Sequence, residues 1–157
     1  MEIRPLSADD RAWVEPFIES RWGAPTVVGH GAVHTPADLP GFAALEDGDP
    51  VGLLTYSVDG DACEIVTVDS LGEGRGVGSA LVDAVAETAR AAGCRRLWLV
   101  TTNDNLPALR FYQKRGFVLV RLHRDAVATS RRLKPEIPLT GSEGIPIRDE
   151  LELELEL

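Results

Sequence analysis

The feature that most restricts what this chain can fold into is a change of hydrophobic period at Gly76. Before it, Ala62 to Val68 is a short β-rich run. After it, Val77, Ala80, Leu81, Ala84, Val85, Thr88, Ala89 and Ala92 recur at spacings of three and four, while Ser79, Asp83, Glu87 and Arg90 take the opposite face. That is the pattern of a helix with one buried stripe. Gly93 ends it as a residue suited to the left-handed region, and Leu97 to Thr101 is an apolar run that fits an interior strand. A strand, a crossover helix and a second strand make a βαβ unit, so 62–68 and 97–101 are expected to run parallel.

The flanks add antiparallel strands. Glu2 to Leu6 reads as a strand, and Ser7 with Asp10 three residues on has the form of a capping box. It opens a helix through Trp13, Val14, Phe17, Ile18 and Trp22, which Pro16 is expected to kink or split. Residues 23 to 40 form a loop rich in Gly and Pro, with 27–33 extended. Strands follow at 41–46, 51–58 and 62–68, joined at Asp47-Gly48 and Asp59-Gly60, dipeptides that favour hairpin turns. Beyond the βαβ unit, Asn105 and Pro107 start a helix that Gly116 ends. Phe117 to Leu122 is a strand, Asp125 to Lys134 a short helix, and Pro135 to Arg148 a long connection of the kind that is commonly functional or mobile. In 149–157, DELELELEL, the leucines share one face and the glutamates form a solvent face. The strand is expected at a sheet edge, where it would pair across a homodimer or be guarded by its glutamates in a monomer.

The chain has 157 residues, 44% hydrophobic and 26% charged, which fits a single domain over 1–157. Its net charge of -9 repels phosphate polymers and anionic membranes, so neither is an expected partner. No window is apolar enough to span a membrane and no leader is visible, so the expected location is cytoplasmic. Cys63 and Cys94 lack a CxxC partner and read as buried thiols, with no metal site expected. The charge is uneven: residues 1–74 carry -11, 75–134 carry +8 and 135–157 carry -6. A basic middle between acidic ends suits an anion held by the middle and a cation met by the N-terminal part.

Glu73-Gly74-Arg75-Gly76-Val77-Gly78-Ser79 places glycines at the start of the long helix, where free N–H groups and the positive end of the dipole attract an anion. The spacing is neither GxGxxG nor GxxxxGK[ST], and any tight turn also favours small residues. A second motif runs from Asn105 through Ala108, Tyr112 and Gly116 to Phe117. Together the two resemble the signatures of the GNAT superfamily of acetyl-CoA-dependent N-acetyltransferases, R/Q-x-x-G-x-G/A and N-x-x-A-x-x-x-Y-x-x-x-G-F. The likeness covers most of the chain from Glu2 to about Leu122. It departs at Glu73, where the family has Arg or Gln, and Arg75 is the compensating cation.

The resemblance implies an α/β GNAT fold, with a mostly antiparallel mixed central sheet, a parallel splayed strand pair and flanking helices. It also implies acetyl-CoA as co-substrate and an amine acceptor, on a small molecule or a peptide. By the same likeness, the backbone of Val66 and Val68 pairs with pantetheine, and an N–H near Val68 polarises the thioester carbonyl. The N–H groups of Arg75, Gly76, Val77, Gly78 and Ser79 hold the pyrophosphate. Asn103 and Asn105 contact the pantetheine arm, and Arg110, Lys114 and Arg115 meet the adenosine 3'-phosphate. Tyr112 is the implied general acid. An amine must lose a proton before it attacks, and Glu64 is the candidate base, with His30 and His34 as alternatives. Arg21, Trp22, His30 and His34 are the expected acceptor-side residues. A non-catalytic acyl-CoA-binding regulatory module remains the alternative at this point.

Overall fold

The computed structural model describes every residue from Met1 to Leu157 except Glu73, so the family departure expected there lies outside the described residues. Along the chain run β1 (Glu2–Pro5), α1 (Arg11–Trp22), β2 (Val27–Gly29), β3 (Ala32–His34), β4 (Gly41–Glu46), β5 (Asp49–Asp59) and β6 (Ala62–Ser70). Then come α2 (Val77–Ala91), β7 (Arg96–Thr102), α3 (Leu106–Lys114), β8 (Val118–His123), α4 (Ala126–Leu133) and β9 (Glu150–Glu156). The fold is mixed α/β with a mostly antiparallel sheet that contains the parallel pair β6 and β7, as the βαβ reading required. The chain divides into two compact units. The first comprises Met1–Val27, His34–Leu97 and Leu157, and the second Val28–Val33 and Trp98–Glu156.

In the first unit β1, β4, β5 and β6 pair in that order, each antiparallel to the next. Asp47 and Gly48 both have positive φ (51° and 83°), the conformation that a two-residue hairpin turn demands. Helix α2 buries Val77, Leu81, Val82, Val85, Ala86 and Ala89 over β4, β5 and β6. Close approach needs Gly52 on β5: a Cβ there would stand 2.5 Å from Val77 Cγ1 and 3.2 Å from both Leu81 Cδ1 and the Asp69 carbonyl oxygen. A separate cluster joins Val14 and Ile18 of α1 to Val27 and Leu53. Each fully buried aliphatic side chain of this kind contributes roughly 1.5–3 kcal/mol. Helix α1 is not split: it runs unbroken from Arg11 to Trp22 with Pro16 inside it. A single short turn over Ala8–Asp10 leads into it, and Asp10 holds that entry by accepting from the Ser7 N–H at 2.7 Å.

In the second unit β9 lies between β7 and β8, and β8 pairs antiparallel with it from Val118 opposite Glu154 to His123 opposite Glu150. This overturns the expected edge position of 149–157. The edge is β8, where Val118 and Leu122 are exposed. The solvent face expected for the glutamates is also overturned, because Glu150 and Glu152 are buried at 4% and 7% exposure. The connection after α4 is tied down. Arg131 donates to the carbonyls of Pro138 and Ile147, both at 2.7 Å, and Gly141 packs where a Cβ would meet Asp104 Oδ2 at 2.0 Å. Among the described residues, no helix is long and apolar enough to cross a membrane.

Candidate active site

In the first unit, β6 carries the residues expected at the reacting end. Its ladder with β5 is regular from Gly52–Ser70 to Thr55–Thr67 and then shifts, since Tyr56 faces Ile65. Val66 is the extra residue of a bulge, a device that bends a strand and re-aims its groups beside active sites. Cys63, Ile65 and Thr67 are buried, and the Thr67 and Thr55 hydroxyls hydrogen-bond at 2.7 Å. Glu64, Val66 and Val68 are half-buried. Glu64 stands 3.9 Å from Nε2 of His34, with side-chain exposures of 18% and 22%. Burial pushes the His34 imidazole below its ordinary value, so it is neutral at neutral pH.

At the far end of β6, the acceptor-side candidates Arg21 and Trp22 converge on Asp69. Trp22 Nε1 donates to Asp69 Oδ2 at 2.9 Å, and Arg21 Nε lies 3.5 Å from Oδ1. Burial pushes the Asp69 carboxyl up, against the opposing pull of Trp22 and Arg21. The sequence reading missed Asp69, and no spacing in the sequence marks it, because its partners lie 47 and 48 residues away.

The turn into α2 has the character of an anion cradle. Gly72, Gly74 and Gly76 all have positive φ, and a Cβ at Gly74 or Gly76 would meet nothing within 4 Å among the described residues. Gly76 is the N-cap residue of α2 and has no side-chain cap, which leaves the first-turn N–H groups of Val77, Gly78 and Ser79 without capping from that residue. The Arg75 guanidinium pairs with Glu46.

In the second unit, the expected pantetheine contacts are largely consumed by structure. Asn103 Nδ2 donates to the Pro146 carbonyl at 2.9 Å, and its Oδ1 accepts from the N–H groups of Arg148 and Asp149, each at 3.0 Å. Three of the four hydrogen-bonding positions of that amide thus clamp the segment that leads into β9. Asn105 caps α3, accepting from the Ala108 N–H at 3.3 Å and donating to Thr101 Oγ1 at 3.0 Å. Tyr112 is 6% exposed, with edge contacts to Phe111 and Phe117 at 5.0 and 5.2 Å between centroids. Arg110 and Lys114 are exposed one turn apart on α3, whereas Arg115 folds over Phe111 with 5.6 Å from its guanidinium carbon to the ring centroid. His30, at the tip of the β2–β3 hairpin, lies edge-on to Trp98 and His123, and its N–H donates to Glu150 at 3.0 Å.

The acetyltransferase (GNAT) family matches residues 8–117, which is most of the chain. The chain belongs to that family. An uncharacterised Bacillus subtilis protein, YxbD, is 44% identical over 158 aligned residues that cover 100% of this chain and 99% of its own. A streptothricin acetyltransferase of Streptomyces lavendulae is 35% identical over 91 residues, covering 58% of this chain and 44% of that protein. Among solved structures, a GNAT family acetyltransferase from Elizabethkingia anophelis with acetyl-CoA bound has the same fold. Its TM-score is 0.69 with 19% identity, over 99% of this chain and 97% of that one. As a GNAT member the chain is an acyltransferase. A helix start whose N-cap residue offers no side chain, beside a glycine turn with space around it among the described residues, has the character of a site for a pyrophosphate.

Proposed function

We propose that the whole chain acts as one N-acetyltransferase domain, moving an acetyl group from acetyl-CoA to a primary amine on a small cationic acceptor by direct transfer. The observation that carries this reading is the half-buried His34–Glu64 pair on the strand that leads to the glycine turn. When bound, acetyl-CoA supplies the activated thioester. The N–H groups from Arg75 to Ser79 hold its pyrophosphate, the strand backbone at Val66 and Val68 aligns the pantetheine arm, and an N–H near Val68 donates to the thioester carbonyl oxygen. Arg110 and Lys114 meet the 3'-phosphate. Glu64, with neutral His34 beside it, accepts the proton that the amine gives up, directly or through one water. The amine nitrogen bonds to the carbonyl carbon, the carbon–sulfur bond breaks, and the Tyr112 phenol gives its proton to the departing thiolate.

Cysteine chemistry is not needed. Burial, with the neighbouring Cys94 and Glu64, pushes the Cys63 thiol up to about 12, so at neutral pH it is a protonated, inert group. The acidic N-terminal part, with Glu64 and Asp69 on one strand, supports a cationic acceptor. The partial likeness to a streptothricin acetyltransferase supports a small molecule over a protein.

Thiol release from acetyl-CoA over a panel of polyamines, aminoglycosides, streptothricin and Lys-rich peptides tests the proposal. Turnover is expected on the small cationic amines. Tight CoA binding with no turnover on any acceptor would instead make the chain a non-catalytic acyl-CoA-binding module.

A further inference from the structure

The second unit holds a group of side chains to which the proposed transfer step assigns no role. His30 at the hairpin tip, His123 at the end of β8 and Glu152 in the middle of β9 each present one donor atom, and the three atoms all lie within 4.8 Å of one another. His123 Nε2 is 3.2 Å from Glu152 Oε1. Zinc bonds of about 2.0–2.2 Å in a tetrahedron place two ligand atoms about 3.3 Å apart, so this pair already has the spacing of two ligands on one ion. His30 sits in a two-residue turn at φ 52°, followed by Gly31 at 73°, so the remaining adjustment falls on a side chain at an exposed tip.

Burial gives the second, independent reason. Glu150 is 96% buried and faces His123 across the strand pair. Among the described residues, one of its oxygens accepts the His30 backbone N–H, and the other, Oε1, has no hydrogen-bond partner. An unsatisfied buried acceptor is costly, and a buried carboxylate more so. A cation held beside Glu150 lowers the cost of burying that side chain. Arg121 faces Glu152 in the β8–β9 register but is exposed.

We propose that His30, His123 and Glu152 form a binding site for a divalent zinc ion, with one position left to water. Two imidazoles and one carboxylate are a nitrogen–oxygen set that suits zinc over magnesium or calcium. The ion would pin the β2–β3 tip to β8 and β9.

Titration of the chelator-dialysed protein with zinc chloride in a calorimeter tests this. One equivalent is expected to bind with a Kd of about 1 μM or tighter. His123→Ala, Glu152→Gln and His30→Asn are each expected to weaken binding on the order of 100-fold or more, and Glu150→Gln about tenfold. Asn tolerates the left-handed turn and Gln preserves the shape of the strand, so those variants remain folded, as circular dichroism would verify. A Kd weaker than about 1 mM would overturn the proposal. So would binding that is unchanged in His30→Asn and Glu152→Gln, which would locate an adventitious ion elsewhere. Both readouts are zinc binding and not turnover, so the site can fail while the enzyme assignment stands.

Discussion

Asp10 joins β1 to the start of α1, and its replacement by Asn has a cost that follows from geometry. Oδ2 accepts from Arg4 Nη1 at 2.8 Å and from the Ser7 N–H at 2.7 Å. Oδ1 accepts from Arg4 Nη2 and Trp13 Nε1, both at 2.7 Å. Asn keeps one oxygen and turns an amide against the donors on the other side. Two charge-assisted bonds at ~1.5–3 kcal/mol each set the scale, and the partial exposure of Arg4 lowers it, giving about 3 kcal/mol. For a chain of this length that corresponds to a drop in Tm of about 6–12 °C.

The effect also has a pH signature. The Arg4 guanidinium and the other donors hold the Asp10 carboxyl well below the usual carboxylate range. Its stabilisation is therefore complete above the unfolded-state value near ~3.9 and is lost as pH falls through the lower folded value. The gap between wild type and Asp10→Asn should be about 1 kcal/mol smaller at pH ~3 than at pH ~7. Thermal and urea unfolding followed by circular dichroism measure both. A gap under about 0.5 kcal/mol at neutral pH, or one that does not change with pH, would refute the reasoning.

The reaction assignments give three more tests. Glu64→Gln should lower kcat/KM by ~100-fold or more at neutral pH, the lower range for a general base, and a loss under about tenfold would remove it from that role. Tyr112→Phe should lower kcat across the pH range with little change in acetyl-CoA affinity, and an unaltered rate would discard the phenol as acid. Gly76→Val forces a β-branched side chain to positive φ at the cradle, and should weaken CoA binding about tenfold, measured by calorimetry. Retained affinity would mean that the phosphates do not sit at that turn.

Most of the architecture was legible because period and punctuation act locally. The three-and-four spacing from Val77 to Ala92 appeared as α2, and Asp47-Gly48 and Gly93 took the left-handed conformations that their turns and cap required. What was not legible depends on partners far along the chain. Alternation in DELELELEL separates two faces but does not say which one is covered, and here Glu150 and Glu152 are buried. The fitness of Asn103 as a ligand contact could not be judged without Pro146, Arg148 and Asp149, which claim its amide. The bulge at Val66 leaves no trace in residue type, since it is a register shift between two ordinary β-rich strands. Of the two outcomes expected at Pro16, a kink or a split, the split does not occur, since the helix continues past it to Trp22.

The central claim is direct transfer of acetyl from acetyl-CoA to a primary amine, and an isotope experiment tests it most directly. Acetyl-CoA labelled at the carbonyl carbon is incubated with a catalytic amount of the protein and a cationic primary amine, and the label is followed by NMR and mass spectrometry. The account predicts label in the amide of the acceptor, free CoA thiol in equal amount, and no acetyl group on the protein. Label that stays in the thioester while CoA binds, or that appears on a cysteine of the protein, would contradict it.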